Sequence, residues 1–149
     1  MRLAGETSLP GARQAVWDRL VDPQIMARCL PGCQEVSAIG PDAYAVTLRI
    51  GVGPITGSYG GTMRITEQEP PARYRVVFEG SGAQGFVRGS GQARLAERNG
   101  TTLLTYDSDI EVGGLVASVG QRVLEGVGKL LVKQMFAKLS AHVTQGVKP

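Results

Sequence analysis

The chain has 149 residues with a formal net charge of +3, and 42% of its residues are apolar. A chain of this size forms one domain with one core, and this balance excludes an intrinsically disordered protein. No apolar run reaches the ~20 residues of a membrane-spanning helix, and the N-terminus lacks the apolar stretch of a secretory signal. Aromatic residues make up only 5% of the chain, so no nucleic-acid partner is expected. We therefore predict a single cytoplasmic domain over residues 1–149.

The first third of the chain predicts a strand, two short helices and a turn. Residues 2–8 alternate in polarity as a strand does, and residues 12–21 have the apolar spacing of a helix. Pro23 ends that helix because the residue before a proline is pushed out of the α region. A second short helix is expected over residues 24–28, followed by a turn at residues 30–33.

Beyond that turn, apolar side chains recur at every second position for about 80 residues, which is typical of β-strands. Pro54, the Pro70-Pro71 pair and the Asn99-Gly100 pair mark reversals of the chain. Consecutive strands joined by such short turns pair antiparallel. The middle of the chain therefore predicts an antiparallel sheet.

Residues 115–145 return to helical spacing and predict one long helix. The apolar stripe of its first half contains Leu115, Val116, Val119, Val123, Val127, Leu130 and Leu131. Nearer the end the apolar positions move to another side, at Met135, Phe136, Leu139 and Val143. This shift indicates packing against a different surface or against a partner.

Only this helix is long enough to cover the apolar face of the sheet. The fold class that follows is α+β, with a curved antiparallel sheet of about six to seven strands. Two short helices follow the first strand, and one long helix ends the chain.

The inward faces of the middle strands are short of side-chain volume. Small residues stand at Gly57, Gly61, Gly80, Gly82, Gly89, Gly91 and Ala93. Two interpretations stay open, because such glycines can serve curvature alone or can also leave an apolar pocket beneath the helix. The predicted wall of that pocket is Val46, Leu48, Ile50, Tyr59, Met63, Phe78, Val87, Gly89, Gly91, Val119, Val123 and Val127.

Residues typical of catalysis or metal binding are sparse. His142 is the only histidine, and Cys29 and Cys33 have no further ligands nearby in the sequence. The alternating carboxylates of residues 107–111 are assigned to the solvated face of the last strand. We therefore predict no metal site and no catalytic residue.

A basic stripe formed by Arg122, Lys129 and Lys133 lies opposite the apolar side of the long helix. It is either a docking face for an acidic partner or anionic lipid, or an ordinary solvated face. An assembly factor with an incidental cavity is therefore one alternative function. A small hydrolase or cyclase is another, and the inward polar groups available to it are Tyr59, Tyr106 and Ser108.

Three segments resemble the carbon monoxide dehydrogenase G-subunit (CoxG) family of the START-like (SRPBCC, Bet v1-like) helix-grip superfamily. The first is Leu-Pro-Gly-Cys at residues 30–33, preceded by Leu-Val-Asp-Pro at residues 20–23. The second is residues 51–59, and the third begins with Val-Gly-Gly-Leu and spans residues 112–124. Their order and spacing make the resemblance specific, and it extends from about residue 2 to residue 143.

The resemblance implies an accessory protein for a molybdenum hydroxylase of the CO dehydrogenase type, concerned with enzyme maturation or membrane linkage. It also implies a lipophilic quinone, menaquinone or ubiquinone, as the cavity ligand, with no covalent cofactor. Peripheral contact with the inner face of the cytoplasmic membrane would follow from the same role. Many family members carry a C-terminal extension for such contact, and since this sequence stops at Pro149, stable anchoring through it is not expected.

Overall fold

Glycine, proline and asparagine turns divide the chain into strands before one long helix. The computed structural model describes residues 1–51 and 53–147, except the side chains of Pro54 and residues 144–147. Its strands are β1 (Arg2–Pro10), β2 (Cys33–Gly40), β3 (Ala43–Ile50), β4 (Gly57–Glu69), β5 (Arg73–Gly82), β6 (Gly85–Arg98) and β7 (Thr101–Gly113). Its α-helices are α1 (Arg13–Leu20), α2 (Pro23–Cys29) and α3 (Gln121–Val147). Short 3-10 turns cover Gly53–Ile55 and Leu115–Val119.

The strands form one antiparallel sheet in the order β1-β7-β6-β5-β4-β3-β2. Strands β2 to β7 follow one another directly, as short turns require, whereas β1 pairs with the last strand. Asn99 and Gly100 join β6 to β7 with φ angles of 54° and 78°, the left-handed values of a tight hairpin turn. The predicted α+β fold, with its long C-terminal helix, is confirmed.

The boundary between α1 and α2 is set by one side chain. The Asp22 carboxylate accepts hydrogen bonds from the backbone N–H groups of Gln24 (2.9 Å) and Ile25 (3.4 Å), which caps α2. Pro23 occupies the first turn of that helix, where no backbone donor is needed. The predicted second helix therefore exists and begins one residue earlier than expected.

The long helix begins later than predicted. Residues Leu115–Val119 form a 3-10 turn, and α3 starts only at Gln121. The reason is backbone conformation, because Gly114 and Gly120 have φ angles of 81° and 96°, which an α-helix does not allow. Helical spacing in the apolar side chains therefore continues through a segment that is not α-helical.

The hydrophobic core lies at one end of the sheet. The second half of α3 supplies Phe136, Leu139 and Val143, all buried. They pack with side chains of α1, α2 and five strands, which are Leu9, Val16, Trp17, Leu20, Cys29, Ile65, Tyr74, Leu95 and Leu104. The shifted apolar positions near the end of the helix are therefore core residues of this chain.

Candidate ligand-binding site

The inner face of the sheet, which is the face towards α3, has a packed end and an open end. Side chains at the packed end belong to the core. At the open end apolar side chains are only half-buried and lie outside that core; they are Val46, Leu48, Tyr59, Met63, Phe78 and Val87. All six are predicted wall residues. Ile50, another residue of the predicted wall, is instead buried.

Strand pairing brings these residues together from distant parts of the chain. One row across the sheet joins Val46 of β3, Gly61 of β4, Gly80 of β5 and Val87 of β6. The next row, nearer the core, contains Tyr44, Met63, Phe78 and Gly89. Val112 extends the first row, since it pairs with Val87, and it is a wall residue that the prediction omits. The alternation of residues along β7 places Val112 on the inner face, and this pattern could have identified it.

The first half of α3 and the turn before it face this open end only in part. Val119 and Val127 are half-buried, as expected for wall residues. Val123 is 44% exposed, more than any other predicted wall residue, and Leu130 is 42% exposed. At about 100° per residue, Val123 lies roughly 140° around the helix from Gly128, which contacts β1. Val123 is therefore a solvent-accessible side chain at the margin of the open end, and its role in the wall stays a prediction.

The glycines of the inner face mainly permit strand backbones to approach each other. A Cβ atom added at Gly61, Gly82 or Gly89 would collide with a carbonyl oxygen of the neighbouring strand. At Gly80, by contrast, the nearest atom would be the carbonyl oxygen of Gly60 at 3.6 Å, an ordinary contact. Curvature therefore explains most of these glycines, and Gly80 alone among these four marks room for a side chain.

Two of the inward hydroxyl groups are engaged with the backbone. The Tyr59 hydroxyl donates to the carbonyl oxygen of Ile55 at 2.8 Å, and the Ser108 hydroxyl donates to that of Leu3 at 2.9 Å. The Tyr106 ring lies over Gly5 and packs against Phe136, with 5.5 Å between ring centroids. Burial raises the pKa of Tyr59 and Tyr106, which moves ionisation of phenols that are already neutral still further from physiological pH. The site is thus apolar with few available polar groups.

Among the described residues, nothing in the structure supports a metal site or a reactive thiol. No three His, Cys, Asp or Glu side chains among them are grouped so as to hold a metal ion. Cys29 is buried and Cys33 is half-buried, both are free thiols, and burial raises the pKa of each. His142 is half-buried near the end of α3.

The outer face of the sheet is polar, as its sequence pattern predicts. Arg88 donates two hydrogen bonds, of 2.9 and 3.0 Å, to the Glu111 carboxylate, and Arg75 donates to Ser90 at 2.9 Å. A concavity of about 930 Å³ covers this face, with charged side chains of both signs around Val77. Most of its lining residues point to the outer face of the sheet, but Met63, Phe78 and Gly89 of the predicted wall also border it.

The basic stripe is solvated along its whole length. Arg122, Lys129 and Lys133 are all exposed on α3. Lys129 and Lys133 also border a groove of about 370 Å³ between β1 and α3. The stripe therefore has the accessibility that a docking face requires.

Solved structures establish the fold independently. A conserved protein from Geobacillus kaustophilus is 36% identical, with a TM-score of 0.95, over 97% of this chain and 96% of that one. A START superfamily protein from Mycobacterium smegmatis has a TM-score of 0.76 at 10% identity, over 97% of each chain. A protein from Chromobacterium violaceum has a TM-score of 0.73 at 18% identity, over 95% of this chain and 96% of that one. The fold is therefore a START-like helix-grip fold.

No curated protein matches the chain. Among the described residues, none of the helices has the length and apolar character needed to cross a membrane. The family model described as the G-subunit of carbon monoxide dehydrogenase (CoxG) matches residues 5–144. With nearly the whole domain matched, the chain belongs to the CoxG family.

Proposed function

We propose that this protein is a non-catalytic carrier that holds a lipophilic quinone at the open end of the inner face and serves a molybdenum hydroxylase of the CO dehydrogenase type. The observation that carries the proposal is the half-buried row of apolar side chains outside the core. Water contact with such surface is unfavourable by about 25 cal/mol per Å², so an apolar guest gains free energy by covering it. Family membership supports the accessory role.

A quinone suits this site better than a polar metabolite does. Val46, Met63, Phe78 and Val87 offer apolar contact to a ring and an isoprenoid tail. Tyr59 also belongs to the open end, and its hydroxyl already donates to the carbonyl oxygen of Ile55. Recognition of the quinone carbonyls is therefore secondary, and apolar burial provides most of the binding free energy.

The direct test measures binding of decylubiquinone and a short-chain menaquinone by titration calorimetry and native mass spectrometry. Gly80→Leu places a side chain in the row between Gly61 and Val87, where a Cβ meets only ordinary contacts. We expect it to weaken quinone binding at least tenfold, about 1.4 kcal/mol. Gly60→Leu is the matched control, because a Cβ there meets nothing within 4 Å and points to the outer face. Absence of micromolar binding by the unmodified protein would refute the carrier proposal.

A second candidate function, an assembly factor, is favoured by the exposed basic stripe. Its test is capture of the molybdenum hydroxylase by the immobilised protein. Loss of capture in Lys129→Glu/Lys133→Glu, with quinone binding unchanged, would show that docking uses the stripe. Capture that depends instead on bound quinone would favour the carrier.

We further propose that quinone is exchanged at the inner face of the cytoplasmic membrane. Arg122, Lys129 and Lys133 would be attracted to anionic lipid at that surface. Flotation with phosphatidylglycerol vesicles containing menaquinone, compared with phosphatidylcholine vesicles, measures this contact. Equal flotation with both vesicle types would contradict a role for the stripe.

A further inference from the structure

Strand β1 is an edge of the sheet with unpaired backbone groups. It pairs only with β7. The hydrogen bonds at the two ends of this pairing show which residues of β1 direct their backbone groups towards β7. Met1 exchanges hydrogen bonds with Ile110 at 2.7 and 2.8 Å, and the N–H of Gly11 donates to Gly100 at 2.9 Å. Since bonded positions alternate in antiparallel pairs, odd-numbered residues face β7. The backbone N–H and C=O groups of Ala4, Glu6 and Ser8 therefore point away from the sheet.

A groove runs along this free edge. Its volume is about 370 Å³, and one side is formed by four consecutive residues of β1, Glu6 to Leu9. Successive side chains of a strand point to opposite faces. Four consecutive residues can therefore border one groove only if the groove runs along the edge of the strand. Leu9 and Phe136, which are 1% and 9% exposed, form its apolar floor with Val132.

The charges around the groove are arranged asymmetrically. Lys129 and Lys133 stand one helical turn apart on the α3 side, and both are exposed. Within the described part of the chain, neither lysine forms a salt bridge. Glu6 borders the groove from the outer side of β1. The groove therefore favours acidic groups beside the helix and neutral or basic groups beside Glu6.

We propose that the free edge of β1 accepts an extended segment of a partner protein, in which apolar and acidic side chains occupy the alternate positions facing α3. The backbone of that segment would pair with Ala4, Glu6 and Ser8, as edge strands permit. Its apolar side chains enter the groove, and its carboxylates meet Lys129 and Lys133. The accessory role proposed above requires a partner protein, but this docking mode is independent of any guest beneath α3.

Charge distinguishes this occupant from a second copy of the chain. In a symmetric pairing of two β1 edges, the interface would contain Lys129 and Lys133 of both copies. Like charges across an interface oppose association. An acidic segment removes that repulsion, so a hetero-partner is the occupant that the surface favours.

The first test uses synthetic peptides and measures fluorescence anisotropy. The probes are labelled nine-residue peptides in which every second residue is Thr. The positions between the threonines carry Val or Asp, and the panel contains every arrangement of these two residues. We expect at least one member to bind, and N-methylation of the amides facing β1 to weaken that binding at least tenfold. Replacing Asp by Lys should weaken it similarly. The proposal is overturned if no member binds below about 1 mM, or if the N-methylated peptide binds equally well.

The second test changes the protein. Ser8→Pro removes one N–H group from the free edge and leaves the β7 ladder intact, since proline is tolerated at such edge positions. Peptide binding should fall at least tenfold, whereas decylubiquinone binding should stay unchanged. Gly80→Leu should show the reverse pattern, which separates failure of the docking mode from failure of the carrier proposal. If Ser8→Pro does not fold, the N-methylated peptide still decides the question.

Charge controls and competing occupants complete the design. Lys129→Glu/Lys133→Glu should abolish binding of the acidic peptide, whereas Lys138→Glu, on another side of α3, should not. Sedimentation that shows a β1-dependent dimer, abolished by Ser8→Pro, would overturn the proposal in favour of a second copy. Peptide binding that is competed by phosphatidylglycerol vesicles and is itself insensitive to Ser8→Pro would overturn the proposal in favour of lipid.

Discussion

At the scale of single residues, the glycines of the sheet have two distinct structural roles. Gly61 and Gly89 allow neighbouring backbones to approach, because a Cβ at either would collide with a carbonyl oxygen. Gly60 and Gly80 have room for a Cβ. The alternation of residues along each strand identifies which glycines face inward. Only the structure distinguishes glycines that the close backbones require from glycines that leave space for a side chain.

Gly89→Ala should destabilise the protein by about 1–3 kcal/mol, since the new methyl group must displace backbone of β7 near Asp109 and Ile110. Gly60→Ala, where a Cβ meets nothing within 4 Å, should change stability by less than about 0.5 kcal/mol. Urea denaturation of both variants checks the difference. Equal stabilities would contradict the assignment of Gly89 to backbone approach.

Tyr74 makes stability sensitive to alkaline pH. Its ring is buried and meets Trp17 edge to face at 5.5 Å, and burial raises its pKa to about 12. In the unfolded chain the phenol titrates near pH 10, so its contribution is complete below about pH 10 and is lost as the pH rises to 12. The expected loss is on the order of 2 kcal/mol.

The measurement is the free energy of unfolding of the wild-type protein and Tyr74→Phe between pH 8 and pH 11.5. The difference between the two proteins should shrink as the pH rises, because the phenylalanine ring of the variant has no ionisable group. Tyr59 and Tyr106 titrate in both proteins and cancel in that difference. A difference independent of pH would show that Tyr74 ionisation does not contribute.

At the scale of elements, the two halves of α3 have different surroundings. Its second half belongs to the core through Phe136 and Leu139, whereas its first half leaves Val123 and Leu130 more than 40% exposed. The contact with β1 is made at Gly128, where a Cβ would lie 2.6 Å from Leu3 Cδ1. The sequence shows the shift of the apolar stripe but not which half reaches the core.

Gly126→Ala and Gly128→Ala form a matched pair that isolates this contact. Both should gain helix propensity worth about 0.5–1 kcal/mol. A Cβ at Gly126 meets nothing within 4 Å, whereas a Cβ at Gly128 forces Leu3 to move. Thermal unfolding should therefore show a higher Tm for Gly126→Ala and a smaller gain, or a loss, for Gly128→Ala. Identical shifts would mean that Leu3 adapts freely.

Local chemistry explains how much of the fold could be predicted. The Asn99-Gly100 turn, the break between the first two helices at Pro23 and strand alternation are encoded by neighbouring residues, so they are predicted correctly. The late start of α3 is missed because it depends on the backbone angles of Gly114 and Gly120. Exposure of Val123 is missed because it depends on how α3 rotates against β1. Ligand identity stays a prediction, since apolar walls accept many apolar guests.

At the scale of the whole molecule, the hydrophobic core and the proposed binding site lie at opposite ends of the sheet. The core encloses Trp17, Tyr74 and Leu139, while Val46, Phe78 and Val87 lie outside it. Elements with little buried apolar contact open at low free energy. The open end should therefore exchange its amide hydrogens faster than the core end does.

Hydrogen exchange with and without decylubiquinone tests this division. Without quinone, amides of residues 44–50 and 121–127 should exchange faster than those of α1 and the second half of α3. Quinone should slow exchange in the first group and leave the second unchanged, because only the open end gains contacts. Tm should rise with quinone concentration, as binding to the folded state requires. Uniform protection across the chain would contradict the division.

The separation of the core from the open end also affects how the protein tolerates mutation. Substitutions at Val46, Phe78 or Val87 remove few contacts from the cluster that holds the fold together. Destabilising changes are purged mainly where they fall below the threshold for folding. If the open end holds a guest as proposed, single amino-acid changes there can alter which guest is preferred while the fold stays intact.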